Sequence, residues 1–278
     1  MDNQQLVQEQ YGTESLRERV NEALDRAGLE RRKLNWSDLV PLDQFHVRGL
    51  GATRELAEAL KIEAGSELLD IGCGLGGPAR FLAATYRCHV TGIDLSQPFI
   101  DVATMLSERC GLEERTIFHQ ADALKLPFAD ESFHLAYTQH VAMNIADRMA
   151  FYSEIHRVMR PGGQLAIYDV IVGDGRPLIF PVPWAQRPGM SFLLPADAMR
   201  QMLESSGFQE VSWADKTDAA MTWFAEVQSG LRSSPPLSIA AVMGPQFLEM
   251  AQNLDQNLQE GRVRLAQAVF TPINATAT

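Results

Sequence analysis

The chain has 278 residues, 46% of them hydrophobic and 21% charged, which suits one large globular domain or one domain with a sizeable cap. Its formal net charge is −11, and no cluster of Lys and Arg stands out to follow a phosphate backbone, so nucleic acid is not an expected partner. The three cysteines, Cys73, Cys88 and Cys110, form no C-x-x-C pair, and an odd number argues against a disulfide framework.

Met1-Asp2-Asn3-Gln4-Gln5 is polar and acidic and lacks the apolar core of a signal peptide. No apolar run approaches the roughly 18 residues of a membrane span; the longest, Leu165 to Val172, is strand-sized and interrupted by Asp169. The Asn274-Ala275-Thr276 sequon is read as chance, and a cytoplasmic location is expected. His119, His134, His140 and His156 are scattered over different elements, so no bound metal is expected.

Residues 13–32 are charged and helix-prone, with Leu16, Val20, Leu24 and Ala27 at helical spacing. A loop with Pro41 follows, then an amphipathic stretch from about Thr53 to Ile62. Beyond Gly65, short apolar runs alternate with amphipathic segments. Strands are predicted at 67–71, 89–93, 116–119, 133–138 and 164–172, and helices at 78–86, 98–110 and 147–160. Strict alternation of this kind means right-handed crossovers and a mostly parallel sheet. In the helix at 147–160, Phe151, Ile155, Val158 and Met159 share one face, with Arg148, Glu154 and Arg157 opposite. Asp147 is placed to cap its start, and Pro161-Gly162-Gly163 to end it.

Residues 174–195 hold Pro177, Pro181, Pro183, Pro188 and Pro195, too many for a helix or a central strand. A long connection of this kind is usually a functional lid. A helix at about 196–206, a strand at about 208–214 and a last strand at about 262–270 complete the pattern. The expected organisation is an N-terminal helical cap over 1–50, a cofactor-binding core over 51–173, the lid over 174–195, and the rest of the sheet over 196–278 with a helical insertion at about 218–259.

The sharpest motif is Asp70-Ile71-Gly72-Cys73-Gly74-Leu75-Gly76-Gly77-Pro78, between a strand and a helix. Glycines there let backbone amides approach a ligand closely, aimed from a helix N-terminus. Gly72, Gly74 and Gly77 also fit the dinucleotide pattern G-x-G-x-x-G, and Asp94, ending the second strand, suits a ribose in either case. Asp70 separates the two readings: its carboxylate would repel a pyrophosphate and attract a ligand carrying an ammonium and a sulfonium.

At this point the chain resembles the class I S-adenosylmethionine-dependent methyltransferases, whose first motif is an acid-x-Gly-x-Gly-x-Gly loop matched by Asp70, Gly72, Gly74 and Gly76. Val90 to Ser96 is similar to that family's ribose-binding strand end, Gln120 to Phe128 to its adenine-side loop, and Val158 to Gly163 to the turn before its fifth strand. Within the family it most resembles the small-molecule branch of sarcosine/dimethylglycine, phosphoethanolamine and quinone or tocopherol methyltransferases. The resemblance implies a Rossmann-like, doubly wound seven-stranded sheet with a final antiparallel strand and a helical cap. It implies S-adenosyl-L-methionine as cofactor, held by Asp70, Gly72, Gly74, Gly76, Asp94, Leu95, Asp122, Ala123, Gln139 and Gln44.

The implied reaction is methyl transfer to an N, O or C acceptor on a small molecule, by a monomer or homodimer. His140 is the candidate general base, or else a hydrogen-bonding wall residue; some relatives carry a His where Asn144 stands. Phe45, Asn144, Trp184 and Arg187 are the candidate acceptor contacts, with packing of the lid and cap as the alternative for the aromatics. Two rival functions remain at this level: an NAD(P)-dependent reductase, and a catalytically silent cofactor-binding protein.

Overall fold

A computed structural model describes residues 16–29, 33–230 and 237–273. Seven strands form one sheet in the order β3-β2-β1-β4-β5-β7-β6. They are β1 (Glu67–Ile71), β2 (His89–Asp94), β3 (Thr116–Gln120), β4 (Phe133–Gln139), β5 (Met159–Val172), β6 (Phe208–Asp215) and β7 (Val263–Pro272). The first five pair in parallel, and β7 runs antiparallel to both β5 and β6. The crossovers are α4 (Gly77–Tyr86), α5 (Gln97–Cys110), α6 (Arg148–Val158) and α7 (Ala196–Ser205). Ahead of the sheet lie α1 (Leu16–Arg26), α2 (Val40–Asp43) and α3 (Gly49–Ala59); between β6 and β7 lie α8 (Thr217–Gly230), α9 (Ala240–Met243) and α10 (Phe247–Gln259).

The two-residue period of the strands divides the core. Leu68, Tyr137 and Tyr168 pack on one face, and Leu69, Ile71, Ala136 and Ile167 on the other, so both faces are covered by helices. A third cluster joins Val20 and Leu24 of α1 to Val102 and Leu106 of α5 and to Val242 of α9, which clamps the N-terminal segment over the sheet's edge. Arg80, fully buried in α4, donates to Asp43 Oδ2 at 2.8 Å and to the Leu75 carbonyl at 2.6 Å, tying that segment to the glycine loop.

The elements follow the sequence expectation with three shifts. The helix expected at 53–62 spans Gly49–Ala59, because Arg48 at φ +70° starts it earlier. The helix expected at 147–160 spans Arg148–Val158; Asp147 caps it by accepting from the Ala150 amide at 3.0 Å. Its final residues are instead drawn into β5, where Met159 pairs with Phe133 before a bulge re-registers Gln164 on Leu135. Gly163 permits this, since a Cβ there would lie 2.4 Å from the His134 carbonyl oxygen. The stretch 174–195 is irregular, with one 3-10 turn at Pro188–Met190. Residues 13–15 and 30–32 of the expected first helix, and 231–236 of the expected insertion, lie outside the described residues.

The strand order reverses between β1 and β4, and the loops leaving these two strands flank the crevice where ligands bind in doubly wound sheets. Asp70 and Tyr137 are register partners there, as are Ile71 and Thr138.

Candidate functional site

A cavity of about 1630 Å³ opens at this switch point. Its floor is the loop after β1. Gly72 and Gly74 have φ of +78° and +52°, and a Cβ would lie 2.3 Å from Val141 Cγ2 at the first and 2.9 Å from Phe45 Cδ2 at the second. A side chain at either position would therefore strain the backbone and obstruct the cavity wall. The Gly72 and Cys73 amides donate to the Ile93 carbonyl at 2.8 and 2.9 Å, which holds the loop across β2. Gly76 stands behind the loop at the start of α4, packed near Phe118 and Arg80 rather than on the cavity.

Two carboxylates sit against this loop. Asp94 accepts from the Gly74 amide through Oδ2 at 3.0 Å and from the Ser96 amide through Oδ1 at 2.9 Å. Burial raises its pKa to about 6 despite those amides. Asp70 is 3% exposed, and its Oδ2 has no hydrogen-bond partner. Burial lifts its pKa to about 7; the facing Tyr137 hydroxyl lowers it, and the Asp94 charge adds to the rise. One buried and one half-buried acid short of positive charge are a setting that a cationic ligand would stabilise. Leu95, Asp122 and Ala123 line the adjoining wall, where Asp122 Oδ1 accepts from the Leu124 amide at 2.9 Å.

The loop after β4 builds the opposite side. Gln139 lines the cavity with both amide atoms buried and unpartnered. His140 has φ +56°, in the left-handed region that costs a non-glycine residue roughly 1–3 kcal/mol. Its amide donates to the Tyr168 carbonyl at 2.8 Å, its Nε2 is buried without a partner, and its ring stacks on Tyr168. Burial, and secondarily the charge of His46, holds its pKa well below the ordinary histidine value. An imidazole kept neutral, with an unpartnered ring nitrogen buried just inside a cavity wall, has the capacity to accept a proton or a hydrogen bond.

Phe45, Asn144 and Trp184 also line the cavity. Phe45 stacks on Phe99 at 5.8 Å, Asn144 lies in the 3-10 turn after His140, and Trp184 donates through Nε1 to Ser191 Oγ at 2.9 Å. Three other expected residues are outside its lining: Asp70, buried in β1 beside the glycine loop, Gln44 and Arg187. Gln44 is buried among protein groups, accepting from Thr53 Oγ1 at 2.9 Å. Arg187 is exposed at the start of the 3-10 turn, outside the cavity lining.

Sequence reasoning missed a whole wall. Trp223, Phe224 and Val227 of α8 face the cavity, as do Phe247, Ala251 and Leu254 of α10. Their spacing of three and four residues marks an apolar stripe on each helix, but not what that stripe meets. His46 was also missed: its Nε2 lies 2.9 Å from the Gly49 carbonyl oxygen and 3.0 Å from Thr53 Oγ1, and burial lowers its pKa to about 4. Among the described residues no group of three or more His, Cys, Asp or Glu could hold a metal ion, and no helix is long and apolar enough to cross a membrane.

Comparison with known proteins agrees with this geometry. Residues 69–167 match the model of a methyltransferase domain. Methyltransferase GfsG of Streptomyces halstedii is 39% identical over 137 residues, covering 49% of this chain and 49% of its own. An O-methyltransferase of Pyrenophora dematioidea is 34% identical over 164 residues, covering 59% of this chain and 61% of its own. The chain thus spans about half to three fifths of the length of these curated relatives. Among solved structures, the [4+2]-cyclase SpnF superposes with a TM-score of 0.70 at 23% identity, over 99% of this chain and 98% of that one, a likeness of fold. Residues 69–167, from within β1 to within β5, are thus similar to a methyltransferase domain, and they lie on a Rossmann-like seven-stranded sheet.

Proposed function

We propose that this chain is an S-adenosylmethionine-dependent methyltransferase acting on a small molecule. The observation that carries the reading is Asp70, a buried carboxylate with an unpartnered oxygen beside the Gly72–Gly74 loop and Asp94. A dinucleotide would bring a pyrophosphate to that loop, and Asp70 would repel it; S-adenosylmethionine brings an ammonium and a sulfonium instead.

On this reading Asp70 and the backbone of Gly72 and Gly74 take the amino-acid end of the cofactor. Asp94 and Leu95 take the ribose hydroxyls, Asp122 and Ala123 border the adenine, and Gln139 offers its unpartnered amide beside them. Gly76 and Gln44 act from behind, by shaping the loop and the cap. S-adenosylmethionine supplies an electrophilic methyl group. The protein's part is to align the acceptor and exclude water, with Phe45, Asn144 and Trp184 forming the wall. Where the acceptor atom carries a proton, His140 is the candidate to receive it, supported by its unpartnered Nε2 buried beside the cavity.

The test is calorimetric titration with S-adenosylmethionine, S-adenosylhomocysteine, NAD and NADP, followed by incubation with a metabolite extract read by mass spectrometry. Micromolar binding of the first two and methylation of some extract component are expected. Binding of NAD without S-adenosylmethionine would overturn the assignment. A second reading, cofactor binding without methyl transfer, draws on the full-length likeness to a cyclase; no methylated product despite tight cofactor binding would favour it.

A further inference from the structure

The cavity is larger than one ligand needs. Pockets for a single drug-sized molecule occupy roughly 300–1,000 Å³, whereas this one measures about 1630 Å³. The part of the lining that α8 and α10 supply, away from the glycine loop, is mainly apolar, with Gln228 and Gln252 as its polar members. Trp223, Phe224 and Val227 from α8 meet Phe247, Ala251 and Leu254 from α10, with Met143 and Trp184 beneath. Leu248, 57% exposed, extends the apolar surface outward.

Positive charge in the lining is confined to one helix. Among the described residues lining the cavity, the cations are Arg19 and Arg26 on α1. Arg19 Nη2 donates to the Val242 carbonyl at 3.0 Å, and Arg26 Nε to the Glu22 carbonyl at 3.2 Å. A phosphate or carboxylate entering between α8 and α10 would lose its hydration with no described cation there to receive it. The acids are Asp94 and Asp122 beside the glycine loop, with Glu22 and Asp147 on α1 and before α6, none of them on α8 or α10. An ammonium group would likewise meet no carboxylate there, since Asp218 and Glu226 of α8 and Glu249 and Asp255 of α10 lie outside the lining. Among the described lining residues, the buried polar atoms left without partners are Nε of Arg19 on α1 and, after β4 at the other end of this space, Nε2 of His140 and the amide of Gln139.

Resting on the methyltransferase reading, we propose that the acceptor is an uncharged, predominantly apolar molecule bearing a hydroxyl. Its body lies between α8 and α10, and its hydroxyl donates a hydrogen bond to Nε2 of His140. Methyl acceptors that carry a phosphate, a carboxylate or a free ammonium are disfavoured by the same walls.

The test titrates the full chain, with and without S-adenosylhomocysteine, with four probes: 4-octylphenol, octylbenzene, phosphoethanolamine and sarcosine. Tryptophan fluorescence and calorimetry are the readouts. Octylphenol is expected to bind with a negative heat-capacity change, the mark of apolar burial. Octylbenzene should bind about tenfold more weakly, and His140→Ala should abolish that difference. Phe224→Asp should weaken octylphenol binding by about tenfold or more. Val227→Asp should do the same from a half-buried position whose substitution spares the core. S-adenosylhomocysteine affinity should stay unchanged in both variants. Tighter binding of phosphoethanolamine or sarcosine than of octylphenol overturns the proposal, as does octylphenol binding that ignores Val227→Asp. Failure of S-adenosylhomocysteine to bind would instead remove the methyltransferase reading, while the titrations without it still decide whether the cavity takes apolar hydroxyl compounds.

Discussion

The rings of His140 and Tyr168 stack with centroids 5.2 Å apart and planes inclined by 23°. Tyr168 is the β5 register partner of Gln139, so a single left-handed residue after β4 turns the chain back and lays the imidazole over the neighbouring strand. The stacking fixes the ring plane, and burial keeps the ring neutral.

His140→Gly therefore separates function from stability. Glycine relieves the backbone strain, worth roughly 1–3 kcal/mol, but forfeits a ring contact worth roughly 0.5–1.5 kcal/mol. The melting temperature should hold or rise slightly, while turnover on a hydroxyl acceptor falls by about 10²- to 10⁴-fold. Unaltered turnover would reduce His140 to a wall residue.

The acids by the glycine loop give a pH dependence. Asp70 and Asp94 have pKa values of about 7 and about 6, raised from 3.8 by burial, so the folded chain binds protons more tightly than the unfolded chain between pH 4 and 7. Their contribution to stability falls as pH rises through that window. His46, lowered to about 4, acts in the opposite direction from pH 6.5 downward, and Asp169, raised to about 7, titrates alongside. Binding isolates the effect better than melting does: a ligand ammonium favours ionised Asp70. Affinity for S-adenosylhomocysteine should strengthen from pH 5.5 to 8, by at most about tenfold per unit for each coupled proton. Asp70→Asn should flatten that slope. A wild-type affinity independent of pH would show that Asp70 does not meet the ligand's charge.

Asp94→Ala should weaken cofactor binding by about 1.5–3 kcal/mol, the scale for hydrogen bonds to a charged group. The fold should persist, because removing a buried carboxylate also removes its desolvation cost. Circular dichroism and calorimetry on one preparation check both halves, and an unchanged dissociation constant would leave Asp94 as a loop anchor only.

Trp184 is 3% exposed and packed in the core on the cavity side of the sheet. Trp184→Ala should cost roughly 3–5 kcal/mol of stability and raise the acceptor's Michaelis constant, with cofactor affinity nearly intact. A stability loss with unaltered kinetics at permissive temperature would confine Trp184 to packing.

Arg187, exposed and away from the cavity, gives the complementary case. Arg187→Ala should leave kinetics and melting temperature essentially unaltered. A large rise in the acceptor's Michaelis constant would mean that residues 174–195 reposition during turnover and bring the guanidinium to the site.

The sequence by itself determined what short-range geometry determines. The alternation of strands and helices, the loop from Gly72 to Gly76, and the placing of Asp70 and Asp94 at strand ends all follow from two- and four-residue periods and from positions that tolerate only glycine. Even the proline-rich stretch was legible as irregular backbone, since proline removes the donors that a helix or central strand needs. Only the tertiary structure decided where side chains with two plausible directions point. Gln44 and Phe45 are adjacent in sequence, yet Gln44 turns inward to Thr53 while Phe45 meets the cavity at Gly74. Trp184 and Arg187 lie within one irregular segment, and packing against the core took one and left the other in solvent. The stripes of α8 and α10 have the spacing of ordinary core faces, because amphipathicity records that a face is covered, not whether protein or ligand covers it. That distinction depends on how far apart two helices stand, which no local pattern encodes.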